Sequence, residues 1–152
     1  MDILKKHGFS ATNSIYIPGN VYSSKNHKRI LIRRVGKSKW SFNGSPVIPF
    51  IGDTEAVMNY KKNIFPIYLH NAKNFQRMIK DKDHPIRVTF FFIRENLKPW
   101  DFNNMSQLIC DMMVKAGWLK EDNSNVLLVF PPLSKPYYTV DKPNSGVIVT
   151  VL

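Results

Sequence analysis

Acidic residues are missing from most of the first third of this chain. Between Asp2 and Asp53 there is none, while Lys5, Lys6, Lys25, Lys28, Arg29, Arg33, Arg34, Lys37 and Lys39 all fall there. Cysteine is nearly absent too. Cys110 stands alone, which excludes an internal disulfide and a cysteine-held zinc cluster. Its helical neighbours make it a small hydrophobe or an idle surface thiol rather than a nucleophile. The four histidines, His7, His27, His70 and His84, show no ligand spacing, and a catalytic triad has no foundation. No apolar stretch approaches the roughly 20 residues of a membrane helix. Lys5 and Lys6 are not followed by an apolar run of signal-peptide length. The expectation is a soluble, intracellular protein with no membrane partner.

What is present suffices for a core. The chain has 152 residues, 43% of them hydrophobic and 12% aromatic, which fits one folded domain over residues 1–152. No repeat or low-complexity tail interrupts it. The net charge is +11, and its placement is uneven. Residues 1–100 hold 18 Lys/Arg against six Asp/Glu, whereas residues 101–152 hold four against five. A generally basic surface does not explain an excess confined to one part. A polyanionic partner does, because each phosphate neutralised by a cation releases condensed counterions.

Periodicity and turn residues divide the chain. Ser14 to Pro18 reads as a short strand ended by Pro18-Gly19, and Arg29 to Val35 as a basic strand or hairpin before the turn 36–39. Phe42 to Gly52, with Pro46, Pro49 and two glycines, reads as a loop. Asp53 or Thr54 can cap a helix to about Lys62; Pro66 is expected to interrupt it, with a further helical stretch over Ile67 to Ile79. Ile86 to Ile93 is apolar on both faces except in its first half, as in a central strand covered on two sides. Met105, Leu108, Ile109, Met112, Met113 and Ala116 mark the clearest helix, with Gly117 as its stop. Val126 to Phe130, Tyr137 to Asp141 and Gly146 to Leu152 complete the set as three short strands. This order predicts an α+β fold: a small mixed sheet covered by helices on one face, a two-layer sandwich.

The segment from Trp100 to Asn123 carries the candidate chemistry. Asn104, Gln107 and Asp111 form one polar stripe on the helix, Asp101 precedes it, and Glu121 and Asp122 follow its far end. Such carboxylates suit a hard divalent cation, since Mg²⁺ takes one or two of them along with waters and substrate phosphates. Helix capping also accounts for Asp101, Asn103 and Asn104, with Asn104-x-x-Gln107 resembling a capping box, and is the reading that spacing favours. Spacing alone does not exclude the metal.

The run Asp101-x-Asn103-Asn104-x-x-Gln107-x-x-x-Asp111, continued by Ala116-Gly117-Trp118-Leu119-x-Glu121-Asp122-Asn123-Ser124-Asn125-Val126, resembles the core signature of the RusA-like crossover-junction endodeoxyribonucleases. Ile17-Pro18-Gly19 with Lys25-Asn26-His27-Lys28-Arg29 is similar to that family's opening strand and basic loop, and Gly146 to Leu152 to its closing strand. The resemblance spans most of the chain, and its specific block is Asp101 to Val126. It implies a homodimer gripping a four-way DNA junction (Holliday junction), with Mg²⁺ held by aspartates hydrolysing phosphodiesters, in a bacterial or phage cytoplasmic setting. By the same resemblance Asp101, Asp111 and Asp122 would be catalytic, and Asp101, Asn103, Asn104, Asp122 and Asn123 would surround the metal. Three positions depart from the pattern. Asn103 stands where the second aspartate of the pattern belongs, Asn123 at the second position of its late acidic pair, and Gln107 where a lysine is usual. Asparagine lends a carbonyl oxygen but no charge, so a catalytically silent DNA-binding relative is the alternative expectation.

The expected grip on DNA is made by Lys25, Lys28, Arg29, Arg33, Arg34, Lys37, Lys39, Arg94 and Lys98, pairing with phosphates. Tyr22, Trp40 and Phe42 flank the first seven, as core packing or as stacking platforms. Nothing suggests base-edge readout.

Overall fold

The computed structural model describes residues 2–23, 28–34, 47–134 and 136–152. Along the chain run α1 (Ile3–Lys6), β1 (Ser14–Pro18), β2 (Lys28–Arg34), β3 (Val47–Asp53), α2 (Glu55–Ile79), β4 (Ile86–Arg94), α3 (Phe102–Lys115), β5 (Leu127–Phe130), β6 (Tyr138–Val140), a 3-10 turn (Lys142–Asn144) and β7 (Gly146–Val151). The class is α+β, as the sequence predicts. Five strands form one mixed sheet. β7 lies antiparallel between β1 and β4, while β5 and β6 both run parallel to β4, along its first and last residues respectively.

Strand alternation sorts β4 onto two faces. Ile86, Val88, Phe90 and Phe92 join Ile15, Ile17, Val147, Val149 and Val151 in the main core, against residues of α2 and α3. Phe91 and Ile93 turn the other way and pack with Ile148 beneath Ile3, Leu4, Phe9 and Tyr16. Arg87, in the first half of that second face, is exposed. The two-sided apolar pattern of β4 thus has a cause in each half. Gly146 lets β7 approach β1, because a Cβ there would collide with the Ile17 carbonyl oxygen.

Two expectations are corrected. Pro66 does not break the helix: α2 runs for 25 residues through it. Pro66 is exposed, and the buried Val57 and Tyr60 before it and Tyr68 and Phe75 after it anchor both halves to one core. That packing offsets a proline cost of about 3 kcal/mol. Nor is Phe42 to Gly52 all loop, since Val47–Asp53 is β3, antiparallel to β2 in a separate two-stranded ribbon. Both strands of a ribbon are edges, where Pro49 is tolerated. Gly52 leaves room for Leu31 on the facing strand, whose Cδ1 would have to shift away from a Cβ 2.5 Å distant.

Trp118 locks α3 to α2. It is buried, stacks on Phe75 at 4.8 Å, and donates its indole N–H to the Tyr68 carbonyl at 2.6 Å. Gly117, at φ +75°, supplies the left-handed residue that ends α3 and turns Trp118 inward.

Candidate functional site

α3 places the candidate carboxylates. Asp101 is its N-cap, and the carboxylate accepts a hydrogen bond from the Asn104 backbone N–H at 3.0 Å. The cap therefore falls on Asp101, with Asn103 exposed, Asn104 half-buried and Gln107 exposed in the turns that follow. An aromatic cluster braces this end: Trp100 contacts Phe92, Tyr137 and Tyr138 at 5.2, 5.5 and 5.4 Å, and the Arg94 guanidinium lies 4.9 Å above its ring. Beside it opens a cavity of about 340 Å³ lined by Asp101, Arg94, Lys98, Glu95 and Asn20 among others. Three residues picked from sequence, Asp101, Arg94 and Lys98, thus meet in one place. Arg94 Nη1 donates to the Lys98 carbonyl at 2.6 Å, and lost solvation lowers the guanidinium's pKa.

Asp111 belongs to a different group. It follows Asp101 by ten residues, about 15 Å along the helix axis. Lost solvation and the charge of Asp122 push its carboxyl above the ordinary range; Asp53 adds to that rise, and Lys61 and Lys28 oppose it. Asp122 itself is exposed, in the turn after α3. Asp53, at the end of β3, accepts from Lys61 Nζ at 2.7 Å and also from Lys28 Nζ. Burial raises the Asp53 carboxyl, but the two lysines more than reverse this and leave it below its usual value. Cys110, alongside, is pushed up to about 12 by burial and then by Asp122 and Asp111, so its thiol is inert at neutral pH.

Asp53 escaped the sequence reading, which saw only a cap. Its signal was positional: it is the acid that closes the long basic stretch, and so the counter-charge nearest to hand. The remaining predicted residues fall as follows. Lys28 is bound to Asp53, Arg29 is exposed, and Arg33 and Arg34 lie on β2 at the register of Ile48 and Val47. Lys25, Lys37 and Lys39, with Trp40 and Phe42, lie outside the described residues. Tyr22 meets Tyr60 edge to face at 6.2 Å and packs against the main core. Asn123 shapes the turn into β5, its Oδ1 accepting from the Asn125 N–H at 3.0 Å.

The donors can be tested against a hard cation. Among the described residues no three His, Cys, Asp or Glu side chains gather where one ion could bind them. Asp111 and Asp122 form a charge-coupled pair, and one or two carboxylates are what Mg²⁺ takes from a protein. Their mutual repulsion leaves negative charge that a cation would relieve. These two carboxylates are the ones whose charges meet, while Asp101, at the other end of α3, stands apart from them. Among the described residues no helix is long and apolar enough to cross a membrane. No family model matches the chain, and no curated protein matches it.

Proposed function

We propose that this chain is a Mg²⁺-dependent, structure-selective endodeoxyribonuclease of the RusA-like kind, acting as a homodimer on Holliday junctions or other branched DNA in the cytoplasm. The observation that carries this reading is the like-charged pair Asp111–Asp122 set beside the cations Lys28 and Lys61. A carboxyl raised by burial and by a like charge, as that of Asp111 is, makes a costly arrangement at a basic surface, and perturbed groups of this kind concentrate at functional sites.

Mg²⁺ held at Asp111 and Asp122 would supply Lewis-acid activation of water and stabilise the phosphodiester leaving oxygen. The chain's own residues do the positioning. Arg94 and Lys98, at the Asp101 cavity, hold a phosphate of the same strand. The 15 Å offset between the two groups corresponds to about four nucleotides of a single strand. Asp101 fixes the start of α3 and so the distance between phosphate grip and acidic pair.

A second reading, a silent relative that binds without cutting, is favoured by three features. Asp101 is engaged as a cap, Asn103 is neutral, and Asn123 has its side-chain oxygen in a turn. A synthetic four-way junction separates the two. With Mg²⁺ the enzyme reading expects nicks, lost in Asp122→Asn and Asp111→Asn. Tight binding with no nick under Mg²⁺ or Mn²⁺, together with cleavage created by Asn103→Asp plus Asn123→Asp, would establish the silent reading instead.

A further inference from the structure

The β2–β3 ribbon presents an apolar face that no described residue covers. Cross-strand register places Ile30 opposite Ile51 and Ile32 opposite Pro49, all on one side. Ile30, Ile32 and Ile51 are 76%, 68% and 75% exposed. A ribbon of two strands is marginal alone, and this one is tied down at one end, where Asp53 joins Lys28 across the ribbon and Lys61 of α2. Three adjacent β-branched side chains held out on such a ribbon mark a surface that receives something.

The surrounding charge selects the occupant. β2 reads Lys-Arg-Ile-Leu-Ile-Arg-Arg, four cations and no acid around the aliphatic centre. A second copy of this ribbon would set another strand of four cations and no acid beside the first. A partner with an anionic backbone and apolar planar surfaces meets both requirements, and unstacked nucleic-acid bases between phosphates are such a partner. On the same face, Lys28 and Asp53 follow Ile30 and Ile51 two residues along, about 7 Å away. Their charges in turn act on Asp111, and with them stands Asp122. The end of the ribbon that carries Lys28 and Asp53 is thus the end whose charges reach Asp111.

We propose that Ile30, Ile32 and Ile51 form an aliphatic wedge that inserts against the bases at a DNA branch point. Insertion of this kind unstacks a base step and keeps the strand splayed, here toward Asp111 and Asp122. The inference rests on the reading of the chain as a branched-DNA protein.

The test uses the full chain and a four-way junction carrying 2-aminopurine at its centre, with Ca²⁺ in place of Mg²⁺. Wild type is expected to raise the 2-aminopurine fluorescence on binding. Ile30→Ser/Ile32→Ser/Ile51→Ser should lose that rise and bind the junction about tenfold more weakly, the worth of roughly one buried isoleucine, with affinity for linear duplex unchanged. Circular dichroism checks its fold, and Ile51→Ser alone serves if the triple variant does not fold. An undiminished fluorescence rise in a folded variant overturns the wedge. So does a wild-type dimer that the substitutions split in sedimentation while the rise persists, since a second copy then covers the face. Wild type that binds no DNA removes the branched-DNA reading itself, and the wedge with it.

Discussion

At the scale of single residues, two aspartates carry opposite shifts, and the signs give opposite pH behaviour. Asp111 has its carboxyl raised, so the folded state favours the protonated form. Its contribution is full below the ordinary carboxyl range and is lost as pH rises through the folded value. Asp111→Asn is therefore expected to stabilise the protein at neutral pH, with the gain vanishing in acid. Asp122→Asn should lower the Asp111 pKa, read directly from carboxyl ¹³C shifts; an unmoved titration would show that the two charges do not meet. Asp53 behaves inversely. Its lowered carboxyl contributes above the ordinary range and the contribution fades as pH falls through the folded value. Asp53→Asn should cost about 1 kcal/mol at pH 7 and nothing in strong acid, by urea denaturation at both. The resemblance named Asp101, Asp111 and Asp122 as candidates, and the sequence could not divide them. The division comes from the rise of α3, which carries Asp111 away from the cap, and from the ribbon, which brings Asp53 in from a distant part of the chain.

At the scale of elements, periodicity was informative where one strand or helix contributes a whole face to the core. β4 and α3 have such faces, and their patterns of apolar residues are complete within the segment. β3 and the continuity of α2 were not legible, because each depends on a partner that local sequence does not display. Pro49 is tolerable only if its strand is an edge, and Pro66 only if both flanking segments reach one core. Three substitutions probe how α3 is held. Trp118→Ala removes the Phe75 stack and the buried bond to Tyr68, and should cost about 3–5 kcal/mol in chemical denaturation. At the α3 cap, Asp101→Ala should cost about 1 kcal/mol whereas Asp101→Asn should cost little, since asparagine caps as well as aspartate. A cleavage defect in Asp101→Asn with stability intact would assign the charge of Asp101 to chemistry rather than to the helix.

At the scale of the whole molecule, the charge asymmetry acquires an internal structure. The first hundred residues hold the cationic excess, yet Lys28 and Lys61 are committed to Asp53. A polyanion must therefore compete with a carboxylate for two of the nearest cations to the acidic pair. If about six cations neutralise phosphates, log affinity for DNA should fall with log salt at a slope near −5. Freeing Lys28 and Lys61 adds cations to that count. Asp53→Asn is accordingly expected to tighten DNA binding at low salt and to steepen the slope by about one to two, measured by fluorescence anisotropy across a salt series. Arg29→Ala should make it shallower by about one, since Arg29 is exposed on the same strand. An Asp53→Asn slope identical to wild type would place the bound DNA away from the β2–β3 ribbon. It would then have to reach the acidic pair from the Asp101 cavity alone, along the polar stripe of α3.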